Sequence, residues 1–318
     1  MAKKLFKWLL AFFLASSLVG CGKNATQEIR KINNIEYEIN INKLTQKTED
    51  EDKVASFGVI SDTHGFYENV NVFSETFKKQ GLDGIIMLGD YAQHFRKKPH
   101  PDLRDYDEIV MCLEAAAKTG LPVYVVPGNH DMRKDYERAI NQLFKKYINI
   151  FDLSKIRIVD GDDFDFVSNP FGTDFTYLGE SFRGTLEQIR QIKEYAKLLK
   201  NDDDPEVLVS HQPPRCNGKG GIDMTFDGKN VGEETLDKIM KECEIKLSAS
   251  GHIHEAGGRA CTSNGELINP NVLSEDLRFN PGAASPWEYP NGKTYNGIAG
   301  ILTIEGNRAK YEIISLKS

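Results

Sequence analysis

Short apolar runs recur along this chain, and each leads into a small group of polar residues. Residues 54–60, 84–88, 122–126, 207–209 and 247–250 read as buried strands. Stretches with helical spacing of apolar positions lie among them, at 70–80, 107–118, 136–147, 186–199 and 233–242. The first two close on Gly81 and Gly120, as a helix C-cap does. Shorter strands are expected at 156–159 and 164–167, and a hairpin at 297–304 and 309–314 around Gly306-Asn307. Repeated strand–helix–strand units predict an α/β architecture with layered sheets. No internal repeat or second-domain linker interrupts 54–318. The stretch at 21–53 is polar, rich in Asn, Lys, Gln and Glu, and reads as a tether. Alternating Ile35, Tyr37, Ile39 and Ile41 break that pattern and leave room for one edge strand.

The start of the chain reads as a processing signal over 1–20. Lys3, Lys4 and Lys7 form a positive region, and 8–18 is an apolar run too short to span a bilayer comfortably. It ends Leu18-Val19-Gly20-Cys21, which resembles the bacterial lipobox, in which the cysteine is lipidated. A plain signal peptide or a single N-terminal anchor is the alternative. The lipobox resemblance implies an exported lipoprotein of the cell envelope, tethered to a membrane at Cys21 and facing outside the cytoplasm. Gly22 after the cysteine leans toward outer-membrane sorting, if the cell has such a membrane. Export would let Cys112, Cys216, Cys243 and Cys261 pair, in any of three complete pairings. Cys112, in an apolar helical stretch, reads instead as a small core residue.

The chain has 318 residues, 40% hydrophobic and 27% charged, an ordinary soluble composition. Its net charge is −7; without the three leader lysines, 37 basic face 47 acidic residues, or −10. That balance argues against non-specific nucleic-acid binding, and no sequence-specific nucleic-acid partner is expected.

Five of the seven histidines sit in the polar groups that follow the strands. These groups are Asp62-Thr63-His64, Gly89-Asp90, Gly128-Asn129-His130-Asp131, Ser210-His211 and Gly251-His252-Ile253-His254. Asp-x-His in an extended turn sets a carboxylate and an imidazole on one side, both good ligands for borderline divalent metals. Asp90 can bridge two ions through its two oxygens, or simply cap a helix. Asn129 offers a neutral carbonyl oxygen. His252 and His254, two apart, face the same way in an extended segment. His211 alone would read as a buried histidine with a hydrogen-bond partner. Five such groups in order, each at a strand end, point jointly to a metal site.

This set resembles the signature of the calcineurin-like metallophosphoesterases, D-x-H, G-D, G-N-H-[DE], a later His, and G-H-x-H. The resemblance covers about 54–304. It implies a four-layer α-β-β-α sandwich of two mixed sheets flanked by helices, with metals at the C-terminal ends of the strands. It also implies a two-metal site. Asp62, His64 and His254 would hold one ion, Asn129, His211 and His252 the other, and Asp90 would bridge them. His130 would be the catalytic imidazole, oriented by Asp131. The ions (Mn, Fe, Zn, Co or Ni) would share a hydroxide that attacks a phosphate ester, either a diester or a monoester. The chain departs from the frequent G-D-x-x-D form, with Gly89-Asp90-Tyr91-Ala92-Gln93. That departure bears on substrate preference.

Arg215, in Pro213-Pro214-Arg215-Cys216 just after His211, is a candidate phosphate-binding residue, the alternative being a solvated surface arginine. Asn280-Pro281-Gly282-Ala283 resembles a segment near the end of small family members. His94 and His100, with Arg96, Lys97 and Lys98, form a polar loop that could cover the site. The segments at 211–214 and 251–255 look most similar to small single-domain phosphodiesterases. A small-molecule phosphate ester is the expected substrate. Two other functions stay open: a metal-free scaffold on the same fold, which in this family loses signature histidines, and a nuclease.

Overall fold

The computed structural model describes residues 27–49, 52–93, 98–174, 176–177, 179–199, 204–289 and 292–316. The leader and Cys21 lie outside the described residues. The strands run β1 (Glu28–Ile32), β2 (Ile35–Asn40), β3 (Lys43–Gln46), β4 (Val54–Ile60), β5 (Gly84–Met87), β6 (Val123–Val125), β7 (Ile150–Asp152), β8 (Ile158–Asp160) and β9 (Asp165–Asn169). They continue as β10 (Glu206–Ser210), β11 (Leu247–Ser250), β12 (Arg259–Cys261), β13 (Leu267–Ile268), β14 (Leu277–Asn280), β15 (Trp287–Glu288), β16 (Thr294–Tyr295), β17 (Gly297–Glu305) and β18 (Arg308–Leu316). The helices are α1 (Tyr67–Gln80), α2 (Asp105–Ala117), α3 (Arg133–Leu143), α4 (Leu186–Arg190), α5 (Ile192–Leu199) and α6 (Glu234–Cys243).

Two mixed sheets face each other. One has the order β18-β17-β4-β5-β6-β7, the other β1-β2-β3-β8-β9-β10-β11-β14-β12-β13. In each, the strands that lead into the polar groups are parallel, β4-β5-β6 in one and β10-β11 in the other. The period-2 alternation of a strand explains the layers. Ile86 of β5 joins the core between the sheets, while Ile85 and Met87 face the helices. Val207 and Val209 of β10 point into that central core, and Leu208 points out. Phe73 and Phe77 of α1 and Ile140 of α3 cover the first sheet. Ile192 of α5 and Met240 of α6 cover the second. The result is the four-layer α-β-β-α sandwich.

The helix expected over 186–199 is broken at Gln191 into α4 and α5, where Glu194 N–H turns back to Gln191 O at 3.0 Å. Thr185 and Gln188 form a capping box that fixes its start. No helix among the described residues is long and apolar enough to cross a membrane.

The stretch read as a tether with room for one edge strand holds that strand, β2, and two more. Over 28–46 the chain forms three strands, and β3 continues the second sheet by pairing in parallel with β8. The reason is burial. Tyr37 and Leu44 enter the core between the sheets, and Ile35 and Ile39 pack against it. Arg30 adds hydrogen bonds to Ile148 O at 3.1 Å and Ile150 O at 2.7 Å. Ile41, grouped with that alternation, instead sits exposed beyond β2 with φ of 57°. Leu44→Ala is therefore expected to cost about 2–5 kcal/mol of stability. Chemical denaturation checks this, since a tether residue would give no measurable change.

Candidate metal centre

The polar groups meet because parallel strands end together. β4, β5 and β6 deliver Asp62 and His64, Asp90, and Asn129 to Asp131; β10 and β11 of the facing sheet deliver His211, His252 and His254. Backbone hydrogen bonds join the loops. Asp62 N–H donates to Gly89 O at 3.1 Å, His64 N–H to Asp90 O at 2.9 Å, and Gly251 N–H to His211 O at 3.1 Å. The sheets are bridged where His252 N–H donates to Asp62 Oδ2 at 3.1 Å. Asp62, His64, Asp90 and His252 all have positive φ, between 45° and 69°. Such conformations cost of order 1–3 kcal/mol each for non-glycine residues and gather at functional sites.

Asp131 lies at the centre of this backbone arrangement. Its buried carboxylate accepts N–H bonds from Asp90 at 2.9 Å, Tyr91 at 2.9 Å, Ala92 at 3.2 Å and Gly128 at 2.8 Å. Burial and neighbouring Asp90 push its carboxyl up to about 7, against these amide donors. Four donors need acceptors, so the ionised form is the one that fits. Both oxygens are thus engaged by two backbone loops, and the orienting of His130 by Asp131 stays a proposal. Gly89 and Gly128 allow those loops to touch. A Cβ on Gly89, at φ of 95°, would lie 2.5 Å from Gly128 N, and one on Gly128 would lie 2.1 Å from Asp90 Oδ1.

Ligand-capable atoms cluster in three groups, Asp62-His64-His254, His64-Asp90-His130 and Asp62-Asp90-His211, each within 4.8 Å. His254 Nε2 is 3.2 Å from both His64 Nε2 and Asp62 Oδ1. Asp62 Oδ1 is buried without a hydrogen-bond partner. Asp90 turns Oδ1 to His211 Nε2 at 3.4 Å, and Oδ2 to His64 Nε2 at 3.9 Å and His130 Nε2 at 4.0 Å. His211 Nδ1 meets Leu88 O at 2.6 Å. A carbonyl only accepts, so that nitrogen carries the proton and a neutral ring leaves Nε2 a lone pair. Nε2 lies 3.0 Å from Asn129 Oδ1, itself an acceptor. Acceptors facing acceptors, and an orphaned carboxylate oxygen, are what a cation between them would satisfy. The residues fit divalent metal.

Protonation tendencies agree with this. Burial and the neighbouring imidazoles His254 and His130 bring His64 down to about 3, leaving it neutral. Burial works against ionised Asp62 and Asp90, but the surrounding histidines hold both below the ordinary carboxylate range. At His211 burial is outweighed by Asp90 and Asp62, which raise it to about 10. Without a cation Nε2 would therefore hold a second proton, and the neutral ring with a free lone pair belongs to the metal-bound site, since a field that favours a proton there also favours a metal ion. Burial lowers the pKa of His130 below the ordinary value.

The structure gives the other singled-out positions the following partners. Arg215 directs its guanidinium to Gly232 O at 3.1 Å, Asn230 O at 2.5 Å and Glu234 at 3.1 Å, so it braces the approach to α6. Lys98 pairs with Asp105 and Glu108, and His100 with Glu68; His94, Arg96 and Lys97 lie outside the described residues. His252 is absent from the three close groups among the described residues. Its Nε2 instead meets Asp174 Oδ2 at 3.0 Å. A carboxylate accepts, so Nε2 holds the proton and Nδ1 keeps the lone pair. Asp174 also accepts from Gln212 Nε2 at 3.1 Å, beside His211. Nothing in the sequence singled out Asp174, which follows β9 with no motif around it.

A model of the calcineurin-like phosphoesterase family matches residues 55–256. The chain is 28% identical over 169 residues to a probable glycerophosphodiester phosphodiesterase of Arcobacter nitrofigilis, over 49% of this chain and 58% of that protein. It is 23% identical over 188 residues to a probable cyclic nucleotide phosphodiesterase of Synechococcus sp., over 58% of this chain and 64% of that protein. The matched stretch is thus under two thirds of either relative. In fold, the chain is similar to a crystal structure of a dimetal phosphatase from Danio rerio, with a TM-score of 0.51 and 13% identity, covering 84% of this chain and 99% of that one.

Asp174→Ala removes the acceptor that sets the tautomer of His252. Apparent metal affinity is expected to fall about 10–100-fold. Competition titration with a chromogenic chelator measures it, and an unchanged affinity would show Asp174 to be only a loop contact.

Proposed function

Because the chain belongs to the calcineurin-like phosphoesterase family, we propose that it is a metal-dependent phosphoesterase that hydrolyses small-molecule phosphodiesters with two divalent ions. The observation that carries the two-ion reading is Asp90, whose two oxygens turn to different halves of the cluster. Asp62, His64 and His254 would hold one ion, and Asn129, His211 and His252 the other, with Asp90 shared. Carboxylate, imidazole and amide ligands suit Mn, Fe, Zn, Co or Ni. Such ions supply Lewis acidity toward phosphoryl oxygens and make water a nucleophile near neutral pH.

The protein's own groups do the positioning. Leu88 O fixes the ring of His211, and Asp174 that of His252. Asp131 holds the Asp90 loop against Gly128. His130, only partly buried beside His64 with ring centroids 4.8 Å apart, is the imidazole left to act on substrate. With its pKa lowered by burial it is neutral at pH 7, and donates an N–H to an oxygen that gains charge as the ester bond breaks. The diester preference rests on the names of the two relatives, both probable phosphodiesterases.

The test is an assay of full-length protein on bis-p-nitrophenyl phosphate and p-nitrophenyl phosphate, with Mn²⁺ and after chelation. Diester hydrolysis that disappears on chelation and returns with metal is expected. Silence toward both esters under every metal sinks the proposal. In the same assay His130→Ala should lower kcat about 10²–10⁴-fold at unchanged metal content.

We also propose that Cys21 carries a lipid and holds the domain at the outer side of a membrane, a reading supported by the charged, apolar and Leu-Val-Gly-Cys pattern at 3–21. Cys21→Ser is expected to move the protein out of the membrane fraction. Its retention there would exclude the lipid as the anchor.

A further inference from the structure

Four cysteines fall among the described residues, and the fold sorts them. Cys112 belongs to the core under α1–α3, with Sγ 3.3 Å from Thr63 Oγ1. Cys243 belongs to the core under α4–α6. Cys216 and Cys261 share a separate small cluster with Ile222, both fully buried. Their sulfurs are 3.7 Å apart. A disulfide needs about 2.05 Å, so closing the gap asks each sulfur to move by less than about 1 Å.

One residue lies on the loop that carries His211, the other on the strand that follows the His252–His254 loop. Cys216 lies five residues after His211, on the crossover from β10 to α6. Cys261 ends β12, seven residues after His254. Both backbones are fixed. Cys216 N–H donates to Asp223 at 3.1 Å, and Cys261 is paired with Leu267 and Arg278 in the sheet. Arg278, itself buried, donates to Arg215 O at 2.7 Å and to Asp237 at 2.7 Å, and its guanidinium lies 3.8 Å from Cys216 Sγ. In the closed fold the hydrogen bond from Cys261 and the charge of Arg278 lower the Cys216 thiol against burial.

We propose that Cys216 and Cys261 form a disulfide that clamps the His211 loop to the strand following His252 and His254. The oxidant is the disulfide of a thiol–disulfide carrier. The Cys216 thiolate attacks one carrier sulfur, forms a mixed disulfide and expels the first carrier thiolate. Cys261 gives up its proton and attacks Cys216 Sγ, which breaks the mixed disulfide and expels the second. Two electrons pass to the carrier, and two protons end on its thiols. Both sulfurs are buried in the finished fold, so exchange precedes closure of this segment. The resulting ring spans 45 positions in sequence and contains α6, β11 and both C-terminal histidine ligands.

The experiment uses the full chain, folded with glutathione disulfide and purified without reductant. Alkylation after denaturation should label Cys112 and Cys243 but not Cys216 or Cys261. An unreduced digest should contain the 216–261 cross-linked peptide, lighter by two hydrogens. Reduction should lower the Tm by about 5–10 °C in wild type and leave the Cys216→Ser/Cys261→Ser variant unmoved. Full alkylation of both cysteines, or their pairing with other partners, overturns the disulfide. A cross-link without any Tm change on reduction overturns the clamp.

Discussion

One buried carboxylate decides whether the site exists. Asp131 is the acceptor for four amide N–H groups from two separate loops. Hydrogen bonds to a charged group contribute about 1.5–3 kcal/mol each, and a buried amide left without its acceptor costs a comparable amount. Those bonds pull the turn after β5 onto the turn after β6, at a distance only two facing glycines allow. Asp90 then stands where its two oxygens reach opposite sides of the cluster, and Asn129 and His130 leave the same loop in different directions. The residue acts on backbone, and through it on every candidate ligand from the first sheet.

Charge and strain converge on the same few residues. Asp62, Asp90, His64 and His211 are buried together, and four site residues sit at positive φ. Each feature opposes folding when taken alone. Held by Asp131, by strand ends and by cross-loop hydrogen bonds, they persist as a preformed cradle of lone pairs. Divalent cations held there would offset the repulsion among the acceptors and the strain of the turns.

The second sheet supplies its half by another route. Its candidate ligands hang on longer connections, and these are braced from behind. Asp174 holds His252 and Gln212, Arg278 spans the crossover to α6, and Cys216 meets Cys261. The first half of the site is fixed by one carboxylate and the second by a set of side-chain contacts. This explains why the second half depends on residues outside the signature motifs.

How much could be read from the chain follows from what is local. Strand ends and motif spacing are local, so the layered α/β fold and the gathered histidines and carboxylates were legible in the residues alone. The glycines of Gly89-Asp90 and Gly128-Asn129 were visible, but not that each makes room for the other. Over 28–46 the alternation of Ile35, Tyr37, Ile39 and Ile41 announced one edge strand, and not the strands on either side of it. Only the facing sheets, which bury Tyr37 and Leu44, make those strands stable. Asp131, Arg215 and Asp174 show the same boundary. A carboxylate or guanidinium in a sequence has no stated partner, and its partner here is a backbone amide, a carbonyl or an imidazole many residues away. The sequence by itself determined which groups could bind metal and on which strands they ride. Tertiary structure decided which side chains touch them and which hold the backbone, because hydrogen bonding and burial are settled by distances in space and not by spacing along the chain.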